Sequence, residues 1–412
     1  MFGESRPRNV GNLVRRIYEE RPYPSTDGGR LEKGRPWSPV PMAWINALWR
    51  PGHENLAYKK ILIAGCGAGE EAFRMQRRRP SAEIVAVDFS ARSIAIAKKL
   101  QQGMPRLRTI RFRVADLAKP GLSEALGRDF DFASCHGVLS YIATPETALR
   151  NLARCLKPDG ALYLGVNGAR HDSVELRDTL PAFGFNMAVM NDDDRHLRKV
   201  LSLCDAVAGR AGSDRIAKSR GEVLAGDLFG PMILNLSLAR WVRIARRAGL
   251  HFRGSYCAWR AIRSALAADF GRLLMPRSRS EICELAEKLC PTSFHRTLFT
   301  REQATNPPWE NPQALLSWCP TLAHLYRGSL PKRSRSWHAT RIFALISVAT
   351  NTGLDWRLPE WTLEILRRSD GQRTLGAILA AFPIAVPHRL VQRHLYVLHQ
   401  LLILTLVPGP VA

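Results

Sequence analysis

The feature that most restricts the fold of this chain is a regular alternation of apolar runs and amphipathic segments between residues 61 and 167. The apolar runs are ILIAG, EIVAVD, TIRFRVAD, FDFASC and ALYLGVN, and helical periodicity fills the stretches between them. Strands that alternate with helices at this spacing predict a parallel, doubly wound sheet. Ser90, just before one helical stretch, is predicted to cap it. We therefore predict an α/β fold.

The rest of the 412-residue chain departs from this pattern, and four regions are predicted. Residues 1–55 form a polar N-terminal arm or lid, and residues 56–265 carry the α/β pattern, with one more strand after Gly249. Residues 266–337 predict a helical linker region interrupted by NPPWENP. Residues 338–412 predict a helix, an Asp-Gly turn, two helices and a short strand, the order of a winged-helix-like domain.

Metal sites, disulfides and membrane spans are not supported by the sequence. The eight cysteines include no CxxC pair and the histidines lack metal-ligand spacing, so we expect reduced thiols and no metal. The acidic run at Asp192, Asp193 and Asp194 is better explained as a helix N-cap and first turn. No secretory signal is visible, and the longest apolar run, LLILTLV, is too short to span a bilayer. We expect a cytoplasmic protein.

The net charge of +24 is the unusual feature of the composition. Such a charge favours acidic partners, although no aromatic–basic nucleic-acid motif accompanies it, so nucleic acid is not an expected partner. Arg111 and Arg113 lead along a predicted strand towards its carboxyl end, whereas Arg77–Arg79 precede the second strand and should lie at the opposite edge. The alternative is a solvated basic surface without a partner.

A strand, a glycine turn and a helix follow one another in KKILIAGCGAGEEAF, residues 59–73, which predicts a nucleotide-type site. The spacing Gly65, Gly67, Gly69 differs from the G-x-G-x-x-G of dinucleotide sites, where Glu70 would occupy the third glycine position. Glu70 and Glu71 would also repel a pyrophosphate at the start of the helix.

S-adenosylmethionine carries a sulfonium cation and no phosphate, so these acids do not exclude it. Asp88 ends the second strand, where a carboxylate can accept both ribose hydroxyls, and Asp116 follows the third strand, near the expected adenine edge. We predict S-adenosylmethionine as the cofactor. NAD and a sheet that binds no cofactor remain as alternatives.

Several motifs resemble those of class I methyltransferases, in order and at the usual spacing: ILIAGCGAG, VDFS, ADL, HGVLSYI and LKPDGALYL. Four further elements resemble those of bacterial methyltransferases with a C-terminal methyltransferase regulatory domain: YEERPYPS, CHGVLSYI, FHRTLFTR and SDGQRT. That group includes rickettsial-type protein-lysine methyltransferases. The resemblance implies a Rossmann-like sheet that binds S-adenosylmethionine, followed by a mainly helical, winged-helix-like C-terminal domain.

The same resemblance implies a set of cofactor-binding residues: Gly65, Cys66, Gly67, Gly69, Asp88, Phe89, Asp116, Leu117, His136 and Tyr23. Tyr18 and Tyr23 would belong to an arm that folds over the site. His136, Tyr141, Asn167 and His171 follow the fourth and fifth strands, at the edge of the sheet where ligands bind. We predict that His136 and Tyr141 orient the acceptor, and that all four residues are pocket walls rather than bases.

Three functions are compatible with these features. The first two are a protein methyltransferase, with lysine as one acceptor, and a small-molecule or natural-product methyltransferase. Both align acceptor, methyl group and sulfur for in-line displacement, a positioning effect worth up to about 7–11 kcal/mol. The third is a cofactor-sensing regulator that binds DNA or a protein through its C-terminal domain. The acceptor, and whether the chain forms a homodimer, are left open.

Overall fold

The computed structural model describes residues 10–23, 40–50, 58–104, 107, 109–185, 195–206, 224–257, 274–337, 339–346 and 353–410. The chain divides into two compact units. Unit 1 comprises Met1–Pro39, Tyr58–Leu250 and Pro291–Glu302, and unit 2 comprises Val40–Ala57, His251–Cys290 and Gln303–Ala412. The units therefore interleave along the sequence, whereas the pattern of residues predicted consecutive regions. The acidic run 192–194 lies outside the described residues.

The helices and strands are numbered here in chain order. The described helices are α1 Val10–Glu20, α2 Met42–Trp49, α3 Glu70–Arg78, α4 Ala91–Gln102, α5 Leu122–Leu126, α6 Pro145–Cys155, α7 Asp172–Thr179, α8 Arg195–Asp205, α9 Leu238–Arg247, α10 Arg279–Leu289, α11 Glu360–Arg368, α12 Leu375–Ala380 and α13 His388–Gln400. The described strands are β1 Lys60–Ala64, β2 Glu83–Asp88, β3 Arg111–Val114, β4 Phe130–His136, β5 Leu156–Asn167, β6 His251–Ser255, β7 Phe294–Thr300, β8 Trp318–Leu322, β9 Thr340–Ile346, β10 Gly353–Pro359 and β11 Leu404–Pro408. A single turn of π-helix spans Leu224–Leu228.

The sheet of unit 1 contains the strands in the order β3-β2-β1-β4-β5-β7. The first five strands are mutually parallel, which confirms the predicted doubly wound sheet, and β7 pairs antiparallel with β5. The sheet is therefore mixed. The segment FHRTLFT, expected inside a helical linker region, forms β7 instead, because its aromatic and β-branched residues pair with the exposed edge of β5 over seven residues.

Strand ends differ from the sequence pattern in two places. β4 includes His136, and β5 begins at Leu156 rather than after the KPDG turn. The β4–β5 register shifts between Phe130 and Phe132, which accommodates the extra residues. Ser90 caps α4 as predicted, because its side chain accepts a hydrogen bond from the Ser93 backbone. Gly249 follows α9 with a φ of 80°, as expected for a helix end.

The core of unit 1 is built on the central strands. Ile61, Leu62 and Ile63 of β1 are at most 1% exposed, and Phe130 and Phe132 of β4 are fully buried beside them. Burial of each such side chain contributes about 1.5–3 kcal/mol. This packing fixes the strand ends whose loops build the site.

Unit 2 contains the predicted C-terminal order of elements. Helix α11, a turn at Gly371 with a φ of 82°, helices α12 and α13, and strand β11 follow one another. Strand β11 pairs antiparallel with β8, and β9 pairs with β10. The region 266–337 therefore contributes strand β8 to the C-terminal part and is not simply a helical linker. Within the described residues, no helix has the length and apolar character needed to cross a membrane.

Candidate active site

The glycine loop after β1 has a backbone that only glycine adopts easily. Gly65, Gly67 and Gly69 have φ values of 75°, 51° and 92°. A Cβ atom on Gly65 would lie 2.2 Å from a methyl group of Val138, so a larger residue would displace the chain after β4. The backbone N–H groups of Gly65 and Cys66 donate to the carbonyl oxygen of Val87 at 2.8 and 2.9 Å.

Asp88, at the carboxyl end of β2, holds this loop from the neighbouring strand. Its Oδ2 accepts a hydrogen bond from the Gly67 backbone at 2.9 Å, and its Oδ1 accepts one from the Ser90 backbone at 2.9 Å. Burial raises the pKa of the Asp88 carboxyl, and the backbone hydrogen bonds oppose that rise. The Phe89 backbone adds a third hydrogen bond to the carboxyl group. A carboxylate has about four lone-pair sites, so acceptor capacity remains for a ligand.

A cavity of about 440 Å³ lies at the carboxyl edge of the sheet and collects most of the predicted site. Its wall includes nearly every residue that the sequence assigned to cofactor or acceptor: Gly65, Cys66, Gly67, Asp88, Phe89, Asp116, Leu117, His136, Tyr141, Tyr18 and Tyr23. Gly69 is the exception, since its Cα lies against the rings of Phe73 and Phe112 behind the wall. The volume falls within the range of small-molecule sites.

The arm helix α1 contributes part of the wall. Tyr18 packs edge-on against Phe89, with ring centroids 5.8 Å apart, and Arg15 donates to Asp116 at 3.4 Å. Glu19 accepts hydrogen bonds from the first backbone N–H groups of α4, those of Ala91 and Arg92, at 2.8 and 3.1 Å. The Glu19 side chain of the arm therefore satisfies backbone N–H groups in the first turn of α4, which have no partner within the helix.

His136 is held as a neutral ring. It stacks on Tyr163 at a centroid distance of 5.8 Å and its Nδ1 lies 3.2 Å from the Tyr163 hydroxyl. Burial lowers the pKa of His136 to about 3, and the charge of Arg296 lowers it further. An imidazole with this pKa is a weak base at neutral pH, which agrees with the prediction that His136 is a pocket wall.

Tyr141 belongs to a polar group that the sequence did not reveal. Asp227, on the π-helix turn, accepts hydrogen bonds from Tyr141 and from Tyr23 of the arm. Burial raises the pKa of Asp227 to about 6. Its neighbour Gly226 packs against the arm, since a Cβ there would lie 3.0 Å from the Tyr18 hydroxyl. A single aspartate in LAGDLF carries no local signal for this role.

Asn167 and His171 do not line the cavity. The Asn167 side chain donates to the Tyr141 hydroxyl at 3.4 Å and to Asn235 at 3.3 Å, so it acts behind the wall. Nδ1 of His171 accepts a hydrogen bond from the Ser173 backbone and caps α7. The prediction that both are pocket walls is corrected, because β5 extends to Asn167 and the chain then turns into a helix.

The two acids after the glycine loop both line the cavity. Glu70 accepts hydrogen bonds from Nε and Nη2 of Arg74, at 3.1 and 2.7 Å, one helical turn further on. Burial raises the pKa of Glu71 to about 7. A pyrophosphate at this helix end would meet two carboxyl groups, which argues against a dinucleotide.

The predicted basic residues divide between the two ends of the sheet. Arg77–Arg79 lie at the end of α3 remote from the glycine loop, as expected. Arg111 forms an ion pair with Glu83, the first residue of β2, and therefore also lies at the end away from the cavity. Arg113 donates to the carbonyl oxygen of Ala125 at 2.8 Å. Arg111 therefore does not reach the ligand edge, because it is the first residue of β3, whereas Arg113 is paired with Val87, one residue before the carboxyl end of β2.

Comparison with known proteins agrees with this geometry. Residues 62–162 match the family model of a methyltransferase domain. The chain carries a class I methyltransferase domain. The ubiquinone biosynthesis O-methyltransferase of Neisseria meningitidis is 31% identical over 115 residues, which cover 27% of this chain and 45% of that protein. An uncharacterized protein of Synechococcus is 30% identical over 171 residues, which cover 40% of this chain and 39% of that protein.

Solved structures also resemble nearly the whole chain. PKMT2 from Rickettsia typhi, in complex with AdoHcy, superposes with a TM-score of 0.54 at 14% identity, covering 91% of this chain and 76% of that chain. At this identity the likeness concerns the fold alone. The chain spans about half or less of the length of the curated relatives it matches, so those relatives inform the methyltransferase domain.

Proposed function

We propose that this chain is an S-adenosylmethionine-dependent methyltransferase. The observation that carries the proposal is the cavity at the carboxyl edge of the sheet, where the glycine loop, Asp88 and Asp116 meet. The residues present fit the cofactor. Asp88 has free lone pairs for the ribose hydroxyls, Asp116 and Leu117 border the space for the adenine, and Gly65 and Gly67 leave room for close backbone approach.

The bound cofactor supplies an electrophilic methyl group, whose bond to sulfur breaks as the bond to the acceptor forms. The residues of the chain position the acceptor against the methyl group and exclude water from the site. The arm residues Tyr18 and Tyr23, together with Tyr141 and the neutral His136, form part of the cavity wall. Burial raises the pKa of Cys66 well above its ordinary value, so this wall thiol stays protonated and does not compete as a nucleophile.

An amine is the acceptor class that the site supports best. Tyr18, Tyr23 and Tyr141 surround one side of the cavity, and the Asp227 carboxyl holds two of their hydroxyl groups. Aromatic faces and a nearby carboxylate attract an ammonium group. Because lysine has a reference pKa of about 10.4, a neutral amine at pH 7 costs roughly 4–5 kcal/mol unless the pocket lowers that pKa. Desolvation of the amine in the cavity would lower that pKa, and the Asp227 carboxylate would oppose the shift.

A protein lysine is one such amine. The elements YEERPYPS, CHGVLSYI, FHRTLFTR and SDGQRT, which resemble those of a group that includes protein-lysine methyltransferases, support this choice. A small-molecule hydroxyl is the second candidate, supported by the 31% identity of the methyltransferase domain to an O-methyltransferase. Both acceptors would approach beside Tyr141.

A DNA-binding regulator is not favoured. Helix α13 is the candidate recognition helix, and its residues Leu395–Gln400 are all buried. A recognition helix presents its side chains to base edges, which buried residues cannot do.

Labelling of a cell extract tests the proposal and sorts the acceptors. We expect transfer of labelled methyl groups from S-adenosylmethionine when the full-length protein is added. Label in the protein fraction, recovered as methyl-lysine after hydrolysis, supports the amine acceptor. Label that appears only in an extractable hydroxyl-bearing compound supports the second candidate. Absence of transfer, together with no binding of S-adenosylhomocysteine, would reject the enzyme.

A further inference from the structure

The solvent-exposed side of two neighbouring helices of unit 1 is entirely basic. Helices α6 and α9 pack against each other. The exposed residues of these two helices are all arginines: Arg150, Arg154, Arg240, Arg243, Arg246 and Arg247. We call this group the arginine surface. The two helices carry a single carboxyl side chain, that of Glu146, so the positive charge of the surface is in large excess.

Glu146 connects the two helices and makes the arginine surface continuous. Its Oε1 accepts a hydrogen bond from Nη2 of Arg150 at 2.9 Å, and its Oε2 accepts one from Nε of Arg247 at 2.8 Å. Two guanidinium groups therefore share one carboxylate. Within the described part of the chain, the other four arginines of the surface form no ion pair. Their charge is available to a partner.

The arginine surface begins beside the candidate active site. Ala143 and Thr144 line the cavity and are exposed, and helix α6 begins at the next residue, Pro145. Glu146 lies in the first turn of that helix, so the two guanidinium groups that it binds are close to the cavity wall. At 1.5 Å per residue, Arg150 is about 9 Å along the helix from Thr144. An extended polypeptide covers this distance in about three residues.

The side chains of the arginine surface favour the carboxylates of a polypeptide over the other polyanions. A guanidinium group binds a carboxylate through two parallel hydrogen bonds. Single-stranded nucleic acid stacks its bases on aromatic side chains, and Trp241, the only aromatic residue of α6 and α9, is fully buried. A helix that binds a membrane surface inserts apolar side chains, whereas the exposed residues of these two helices are all arginines.

We propose that the arginine surface binds an acidic segment of the protein whose lysine is methylated. The lysine enters the cavity, and glutamates or aspartates about three to five residues away from it contact the arginines. This inference rests on the proposed function, because it takes a protein lysine as the methyl acceptor. It adds the class of substrate: a lysine with acidic residues near it in the sequence.

A pair of peptides tests the surface. The probe is a fluorescent peptide with one lysine and a flanking run of glutamates, and its control has glutamines in their place. In fluorescence polarisation with the full-length protein, the acidic peptide should bind and the glutamine peptide should bind at least tenfold more weakly. The triple variant Arg154→Gln, Arg240→Gln, Arg243→Gln removes unpaired charges. It should weaken the acidic peptide roughly tenfold, the usual effect of three exposed ion pairs.

A second triple variant is the matched control for net charge. Arg77→Gln, Arg78→Gln, Arg111→Gln removes the same number of exposed arginines at the other end of the sheet. It should weaken the acidic peptide less than about twofold. In both variants, calorimetry should show unchanged binding of S-adenosylhomocysteine, which verifies that the variants fold.

Methyl transfer to the peptide lysine separates docking from chemistry. The surface variant should raise KM for the acidic peptide roughly tenfold and leave kcat unchanged, because none of its substitutions touches the cavity wall. Duplex DNA and vesicles of an anionic phospholipid are assayed as competitors of the peptide. Neither should displace it at a concentration of phosphate equal to that of the peptide carboxylates.

The outcomes separate the two proposals. Equal loss of the acidic peptide in both triple variants, or no loss in either, would overturn the docking surface and leave the methyltransferase proposal standing. Displacement of the peptide by duplex DNA or by vesicles would assign the surface to that polyanion and overturn it as well. Failure of the unchanged protein to bind S-adenosylhomocysteine would overturn the proposed function and this inference with it.

Discussion

At the scale of single residues, the site depends on carboxyl groups that are buried for different purposes. Asp88 accepts hydrogen bonds from the backbone of Gly67 and Ser90, Asp227 accepts them from two tyrosines, and the Glu71 carboxyl lies beside the Ser134 hydroxyl. Desolvation raises the pKa of each group. The hydrogen bonds that each carboxyl group accepts lower its pKa and so limit the rise.

Replacement of Asp88 tests the cofactor bed. Asp88→Ala should weaken S-adenosylhomocysteine by about 1.5–3 kcal/mol in calorimetry, because charged hydrogen bonds to the ribose are lost. Asp129→Ala is the matched control, since Asp129 pairs with Lys60 at the opposite end of the sheet and its side chain is 59% exposed. Tight binding of NAD by the unchanged protein would contradict the choice of cofactor.

Replacement of Asp227 separates function from stability. A carboxyl group whose folded pKa is about 6 is ionised at a cost, so the folded state loses about 3 kcal/mol as the pH rises from 4 to above 6. Asp227→Asn avoids this cost and can still accept the tyrosine hydrogen bonds. We expect an unchanged or higher Tm at pH 7, together with a roughly tenfold lower kcat/KM that no longer falls below pH 6. A lower Tm with full activity would assign Asp227 a structural role only.

At the scale of elements, the strands β1–β5 were predictable because each is a local apolar run bounded by turn residues. The Ser90 cap and the Gly249 helix end were predictable for the same reason. β7 was not, because its pairing with β5 joins residues that are far apart in the sequence, such as Tyr163 and Leu298. The contact of Asp227 with Tyr23 escaped prediction on the same ground: nothing near either residue in the sequence indicates the other.

The arm helix α1 gives the element-scale prediction. Deletion of residues 1–26 should abolish turnover while the far-ultraviolet dichroism of the sheet persists, because the arm closes the cavity without belonging to the core. Glu19→Gln should have a milder form of this effect, raising KM, since Glu19 holds the arm on the first turn of α4. Glu20→Gln, at an exposed neighbouring position, is the matched control. Full activity of the truncated protein would reject the lid.

At the scale of the whole molecule, the net charge is +24, and the described arginines around the sheet divide between its two ends. Arg111 and Arg77–Arg79 lie at the other end of the sheet, whereas Arg15 and Arg74 border the site. Only the positive charges near the cavity can therefore guide an acidic substrate to the site.

The dependence of catalysis on salt measures that part. If an acidic macromolecule is the acceptor, kcat/KM should fall several-fold between about 50 and 200 mM salt, because screening weakens long-range attraction. A small neutral acceptor assayed in parallel is the control and should show a flat response. If kcat/KM on the macromolecule is also independent of salt, the basic residues are a solvated surface that does not guide the substrate.

The antiparallel strand β7 has a consequence for how the chain is made. Strand β5 is complete once residue 167 has been synthesised, yet its outer edge stays uncovered until residues 294–300 emerge. During that interval an apolar strand with unsatisfied backbone groups is open to pairing with other chains. A fragment that stops at residue 250 would keep that edge permanently. A fragment that ends after α9 would therefore lack the strand that completes the sheet of unit 1. Translation must proceed to residue 300 before the edge of β5 is covered.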